Sequence, residues 1–235
     1  MFYKYISCSV FFIFLVSVVY SQQNTFDQTI ASDIKIFDAN GKPFVNPNSD
    51  IAGSAFIIDN WKYGIITMSN NRAFTKRLLR LDVEKQEIHY LSENNTEMYV
   101  GNNYIKQVTF TDSAHIPITE YNFQSGFPSI DEQDEKFLYR IICDGKIKMI
   151  ESIRKRVITD KNDLSGEISK EYRTYEDYYL YTDKSIQRLK KDKTFLLSLM
   201  TDQKDKIDAF VNANKLNYKW PEDVKKIINY YNSNF

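Results

Sequence analysis

The sequence predicts an α+β fold: a large antiparallel sheet, either a meander or an open barrel, followed by a small C-terminal helical bundle. Three observations carry this expectation. Apolar stretches recur between Ala55 and Phe110 at a spacing of about ten residues, with Asn-, Asp- and Gly-containing breaks between them. Within them Leu79, Leu81 and Val83 alternate with Arg80 and Asp82, the period of two that a strand buried on one face requires. After Thr182 the apolar period becomes helical.

The chain opens with Lys4, an apolar run from Ile6 to Val19 and a Val19-Tyr20-Ser21 cleavage pattern. That is the layout of a secretory signal peptide over residues 1–21, and the run is short for a membrane span. Export is the expectation, to the periplasm, the cell surface or the medium, with the mature chain beginning at Gln22. Cleavage removes Cys8 and leaves Cys143 alone, so no internal disulfide is expected and the core must supply the stability. No later segment is apolar enough to span a bilayer.

The expected organisation is a β-rich body over 22–183 and a helical region over 184–235 packed on it. Gln22–Ser32 reads as polar, Ile34–Phe37 as a short strand, and Asn40-Gly41 as a turn. Strands are expected at Ala55–Ile58, Tyr63–Met68, Phe74–Asp82, Glu87–Leu91, Glu97–Val100 and Ile105–Thr111. On the fourth of these Ile88 and Tyr90 share one face, which leaves His89 on the more polar one. Tyr121–Glu135 has no clean period and reads as a long loop. Its carboxylates Asp131, Glu132, Asp134 and Glu135 lack the alternate spacing and turn glycine of a Ca²⁺ loop, so a solvated acidic loop is expected.

Asp144-Gly145 is a two-residue hairpin signal. Its register pairs Cys143 with Lys146, Ile142 with Ile147 and Arg140 with Met149. Tyr139, Ile141, Cys143, Lys146, Lys148 and Ile150 then share one face, while Leu138, Ile142, Ile147 and Met149 form the core side. Lys146 and Lys148 would lower the thiol pKa of Cys143, yet a hairpin-end cysteine with no base beside it is expected to be structural. Strands Ile150–Ile158, Glu167–Tyr175 and Tyr178–Tyr181 follow, with Glu176-Asp177 as a turn. Their tyrosines either fill the sheet surface, the expected role, or stack on sugar rings.

Three helices are expected at the end. The first spans Lys184–Met200 with Ile186, Leu189, Leu196, Leu197 and Met200 inward. The second runs Asp202–Asn212, capped by Thr201 and ended by a left-handed Asn214. The third starts at Pro221, with Glu222 and Asp223 facing the helix dipole and Val224, Ile227, Ile228 and Tyr231 as a stripe.

Charge is balanced overall but divided. Residues 22–183 hold 19 basic and 25 acidic side chains; residues 184–235 hold 11 and 6. No strong basic field spans the protein, so nucleic acid is not an expected partner. The basic tail suits docking on the acidic body or on an anionic surface. His89 and His115 fall in different expected strands. No HExxH, CxxC, phosphate loop or GxSxG elbow occurs, so no catalytic, cofactor-binding or metal-binding residue is assigned and no cofactor is expected. Asn94-Asn95-Thr96 is a glycosylation sequon, and Asp112-Ser113-Ala114 matches a short O-glycosylation pattern of Bacteroidetes.

The stretch IIDNWKYGIITMSNNRAFTKRLLRLDVEKQEIHYL, with Trp61 and Gly64 ahead of a strand pair, resembles the opening of uncharacterised secreted proteins of Bacteroidetes. FLYRIICDGKIKMI resembles their central hairpin and KLNYKWPEDVKKIINYYN their closing helix. The resemblance implies an exported, bacterial, sheet-then-helix protein and transfers no activity. The function expected is a non-enzymatic binding or structural module of the cell envelope, meeting a glycan or another envelope protein. The alternatives are a glycan-active hydrolase using a carboxylate pair, and an envelope protein binding through its basic tail.

Overall fold

A computed structural model describes residues 50–235, apart from Ser113, Ser165 and Lys184 and the side chains of Thr119 and Glu120. The expected signal peptide, mature N-terminus, Ile34–Phe37 strand and Asn40-Gly41 turn lie outside the described residues, as does the central Ser113 of the O-glycosylation pattern.

The α+β expectation holds. The strands are β1 Ile51–Ala52, β2 Lys62–Met68, β3 Ala73–Asp82, β4 Glu87–Leu91, β5 Glu97–Gly101, β6 Ile105–Thr111, β7 Pro117–Gln124, β8 Tyr139–Cys143, β9 Lys148–Lys161, β10 Ile168–Thr182 and β11 Ser185–Arg188. They join one open sheet in the order β1-β10-β9-β8-β7-β6-β2-β3-β4-β5, with β11 also on β10. Every pairing is antiparallel except that of β1 with β10.

The sheet curls. Gln86, in the β3–β4 turn, accepts the Leu138 N–H at 2.9 Å just before β8, although three strands of the sheet order separate β3 from β8. Leu79, Leu81 and Val83 share a core with Val108, Phe110, Phe123 and Ile153, which come from β6, β7 and β9. The alternation read in β3 therefore points into the concave side. The Ala55–Ile58 stretch is no regular strand. It exchanges hydrogen bonds with the end of β3, Ile57 N–H to Leu81 O and Val83 N–H to Ala55 O. Lys155 of β9 donates to the carbonyls of Ser54 and Phe56 at 2.9 and 2.5 Å and holds this stretch in place. Burial pulls the Lys155 pKa down.

Three helices cover β8–β10 on the face that also carries Phe123 and Ile153: α1 Lys193–Ser198, α2 Lys204–Ala213 and α3 Pro221–Asn234. Leu196, Leu197, Ile207, Val211, Val224, Ile227, Ile228 and Tyr231 meet Cys143, Ile147, Met149 and Leu180 in one cluster. The α3 stripe, its Pro221 start and its acidic first turn are as expected. The other two helices differ from expectation. Ser185–Arg188 is a strand because Tyr181 and Thr182 offer it a free edge, so α1 begins only at Lys193, capped by the Asp192 carboxylate. The second helix is preceded by Gln203, not capped by Thr201, and the left-handed residue after it is Lys215, one place beyond Asn214.

Glu176-Asp177 is not a turn. β10 pairs with β9 continuously from Ile168 to Tyr181, with Glu176 opposite Ile153 and Asp177 opposite Ser152. Two arginines hold the Asp177 carboxylate, Arg154 and Arg188, each at 2.6 Å. Tertiary pairing here outweighs the local turn preference.

The Asp144-Gly145 hairpin is looser than expected. Arg140 pairs with Glu151, Ile141 with Ile150 and Cys143 with Met149, with a bulge between Ile141 and Cys143. The loop spans residues 144–147. Asn232 of α3 closes it, accepting the Ile147 N–H at 3.0 Å and donating to the carbonyls of Ile147 and Asp144. A Cβ on Gly145 would stand 2.6 Å from Asn232 Cγ, so glycine is needed for this approach as much as for the turn. Asn232→Ala leaves the buried Ile147 N–H unpaired and is expected to lower stability by about 2–3 kcal/mol in urea titrations. Asn232→Asp, which retains the acceptor alone, should recover part of that loss.

The bulge turns Cys143 onto the Met149 face, under α3, opposite to the expected side. Its Sγ donates to the Lys225 carbonyl at 3.6 Å, and burial pushes the thiol up to about 12. The expected pKa-lowering role of Lys146 and Lys148 fails because both are bound elsewhere, to Asp202 and Asp144. Cys143 is therefore expected to resist thiol reagents until the protein unfolds. Cys143→Ser should cost about 1 kcal/mol, because the hydroxyl can reuse the same carbonyl.

Candidate functional site

Two hollows and two charge networks are built on this frame. The first hollow lies where the concave side of the sheet opens beyond its core. Ile66 and Met68 of β2, Tyr90 of β4 and Val100 of β5 line a cavity of about 550 Å³, with Phe74 of β3 beside them. Met68, Tyr90 and Val100 pack on the core from one side and leave their other surface facing the cavity. Phe74 is 42% and the neighbouring Met98 45% exposed, high for large apolar side chains. Polar groups stand only at the rim: Ser92, Asn94 and an Arg77–Glu93 pair at 3.6 Å. The sequon asparagine, Asn94, is thus at the mouth.

The second hollow, about 600 Å³, is polar and lies between β8 and the start of α3, with Asn122, Arg140, Tyr178 and Lys225 among its walls. Behind it is a buried ion pair. Glu151 is fully covered and its Oε2 accepts from Arg140 Nε at 2.5 Å, while its Oε1 has no hydrogen bond. Burial raises the Glu151 pKa, against the nearby Arg140 charge, and burial likewise raises that of Tyr178. Sealed from solvent, Glu151 orients the Arg140 guanidinium at the cavity wall.

The acidic loop is exposed as expected, yet two of its carboxylates are committed to arginines. Glu132 pairs with Arg154 and Arg156, and Asp131 with Arg188 at 3.0 Å. Asp131 also accepts from the Tyr179 hydroxyl at 2.7 Å, and that bond leads in lowering its pKa. These contacts seal Phe127 and Phe137 over Tyr139, Ile150 and Tyr179. Among the described residues, no three His, Cys, Asp or Glu side chains are placed to hold a metal ion.

His89 lies on the more polar face but is not a surface residue. The stretch that Lys155 holds passes over it, so Phe56 meets its ring edge-on at 5.0 Å, and its Nδ1 is 2.7 Å from Glu97. Beside it the Arg80 guanidinium lies 4.0 Å from the Phe56 ring centroid and 4.2 Å from that of Trp61. His115 is exposed in the β6–β7 turn with φ +62°, and is not in a strand.

Sequence reasoning placed Tyr90 with Ile88 on the inner face but missed that the inner face outruns its filling. The available signal was the run of apolar residues at Met98 and Val100, on a strand too short and too near the edge to be covered. It missed Arg140 and Glu151 as a pair because the bulge decides that they face each other. No protein-family model matches the chain, and no curated protein or solved structure shows significant similarity to it.

Proposed function

We propose that the protein is an exported, non-enzymatic binding module of the bacterial envelope whose ligand is amphipathic, with a slender apolar chain seated in the concave hollow. The observation that carries this reading is the unfilled apolar wall of Ile66, Met68, Tyr90 and Val100 at the open end of the curled sheet. Its volume of about 550 Å³ falls in the range of small-molecule sites, roughly 300–1,000 Å³, and such sites draw their affinity from apolar walls and their orientation from a few polar groups. Arg77, Ser92 and Glu93 supply those polar groups and would meet a ligand's head. Export rests on the Lys4-to-Ser21 leader pattern, and a bacterial source on the resemblance of the Trp61–Leu91 stretch.

A naphthylamine probe that fluoresces in apolar surroundings tests the site on the mature chain. The wild type is expected to bind it and to release it to a long-chain fatty acid. Val100→Lys, which sets an ammonium inside the wall, is expected to abolish this displaceable binding at unchanged melting temperature. Phe74→Ala, on a half-exposed side chain, should weaken it. Failure of the wild type to take up the probe, or full binding by Val100→Lys, would overturn the reading. An N-terminus at Gln22 in the extracytoplasmic fraction tests export.

A further inference from the structure

The polar hollow continues past its own wall. Tyr178 of β10 and Pro221 of α3 line both the cavity of about 600 Å³ and a second one of about 250 Å³ that reaches Arg188 and Lys191. The two cavities are therefore one groove, crossed by a low ridge of two rings, a phenol and a pyrrolidine.

The charges along the groove follow a pattern. In the larger cavity Arg140 is committed to Glu151, and Asp144 to Lys148. Glu222 and Lys225 also line it and have no ion-pair partner among the described residues. In the smaller cavity Asp177 and Arg188 are bound to each other. Glu176 and Lys191 line it and again have no such partner. Each side of the ridge thus offers one uncommitted carboxylate and one uncommitted ammonium.

From this arrangement we propose that the groove binds a neutral glycan chain, with one sugar on each side of the Tyr178–Pro221 ridge. A hydroxyl group donates and accepts at once, so a carboxylate and an ammonium lining one cavity can satisfy it from both ends. The rings of Tyr178 and Pro221 provide an apolar surface for the less polar face of a sugar, as aromatic side chains do wherever one surface must be both wet and apolar. A strongly charged polymer would meet as many like charges as opposite ones. An extended polypeptide is disfavoured for a different reason. The outer edge of β10 at this point is taken by β11 and by the Leu189 N–H, which donates to Tyr178 O at 2.8 Å, so no strand can add there. This site is separate from the apolar hollow, and the two are lined by different residues.

The test uses the mature chain and neutral gluco-, manno- and xylo-oligosaccharides, from the monosaccharide to the hexasaccharide, in isothermal titration. Binding of at least one series is expected, absent for its monosaccharide and present from the disaccharide onward. Glu222→Gln with Lys191→Gln, one substitution on each side of the ridge, is expected to weaken it by about tenfold or more through loss of charge-assisted hydrogen bonds. Melting temperature and naphthylamine binding at the apolar hollow should not change in this variant, which separates failure here from failure there. The proposal is overturned if no series binds, or if the double variant binds as the wild type does. It is equally overturned if an acidic polysaccharide or an acidic peptide binds more tightly than the neutral chains, with an affinity that falls steeply with salt.

Discussion

Replacing Arg140 with methionine is expected to lower the stability of the chain by about 3–5 kcal/mol, because it leaves the Glu151 carboxylate buried with no opposing charge. Glu151 has no exposed surface, and one of its oxygens is already without a hydrogen bond. The arginine is the charge that holds its pKa back against burial. Glu151→Gln should be far milder, since Arg140 can then turn its partly exposed guanidinium to water. The pH dependence identifies the cause. A carboxyl group whose pKa is raised on folding stabilises the native state most when protonated, below the unfolded value, and that contribution is lost as pH rises through the folded value. Removing Arg140 raises the folded value further. The deficit of Arg140→Met should therefore shrink as pH falls below that value and reach its full size near neutrality. Chemical denaturation across the acid range would read this out. A deficit independent of pH would place the cause in packing instead.

Gly64→Ala is expected to cost about 2–3 kcal/mol, a typical figure for forcing one extra carbon into a packed site. A Cβ at this position would lie 2.6 Å from Leu79 Cδ1 and 3.0 Å from the Thr109 carbonyl oxygen. Leu79 is itself fully buried, so it has little room to yield, and the carbonyl belongs to β6, which pairs with β2. The expected signature is a lower midpoint in urea with the m-value kept. Leu79→Ala together with Gly64→Ala should cost less than the two changes summed, because the first clears the space the second needs.

Much of the body was legible in the sequence, for an identifiable reason. β2 to β6 are short strands between Asn-, Asp- and Gly-containing turns, so period and punctuation agree, and the observed bounds fall within a residue or so of the expected ones. The third helix was equally plain, since Pro221, two acidic residues and the Val224–Tyr231 stripe all mark the same helix. Legibility failed where a distant partner overrides a local preference. Glu176-Asp177 has the composition of a turn but is held extended by Arg154 and Arg188. Ile186 has helical spacing relative to Leu189 but lies beside an unfilled strand edge. The Asp-Gly pair suggested a two-residue turn, yet the loop is set by Asn232, 87 positions beyond Gly145 in the chain. The candidate sites were illegible for a related reason. Both hollows are formed by residues whose types suit an ordinary sheet surface, and only the curl of the sheet and the seat of α3 leave them uncovered.

The stretch from Ile51 to Ile58 bears on how the protein folds and opens. Its parallel pairing with β10 covers two residues, and its bonds to Lys155 span 99 and 101 positions of the chain. Contacts so distant in sequence must overcome a large loop-closure entropy, and so few of them return little for it. This stretch should therefore be the last to join the sheet and the first to leave it, while the long β9–β10 ladder stays closed. In native-state hydrogen exchange the Ile57 amide is expected to open well below the free energy of global unfolding, and Lys155→Met should lower that threshold further. Opening there would uncover Arg80 and His89 and leave both binding hollows intact, so a brief local opening would not interrupt binding.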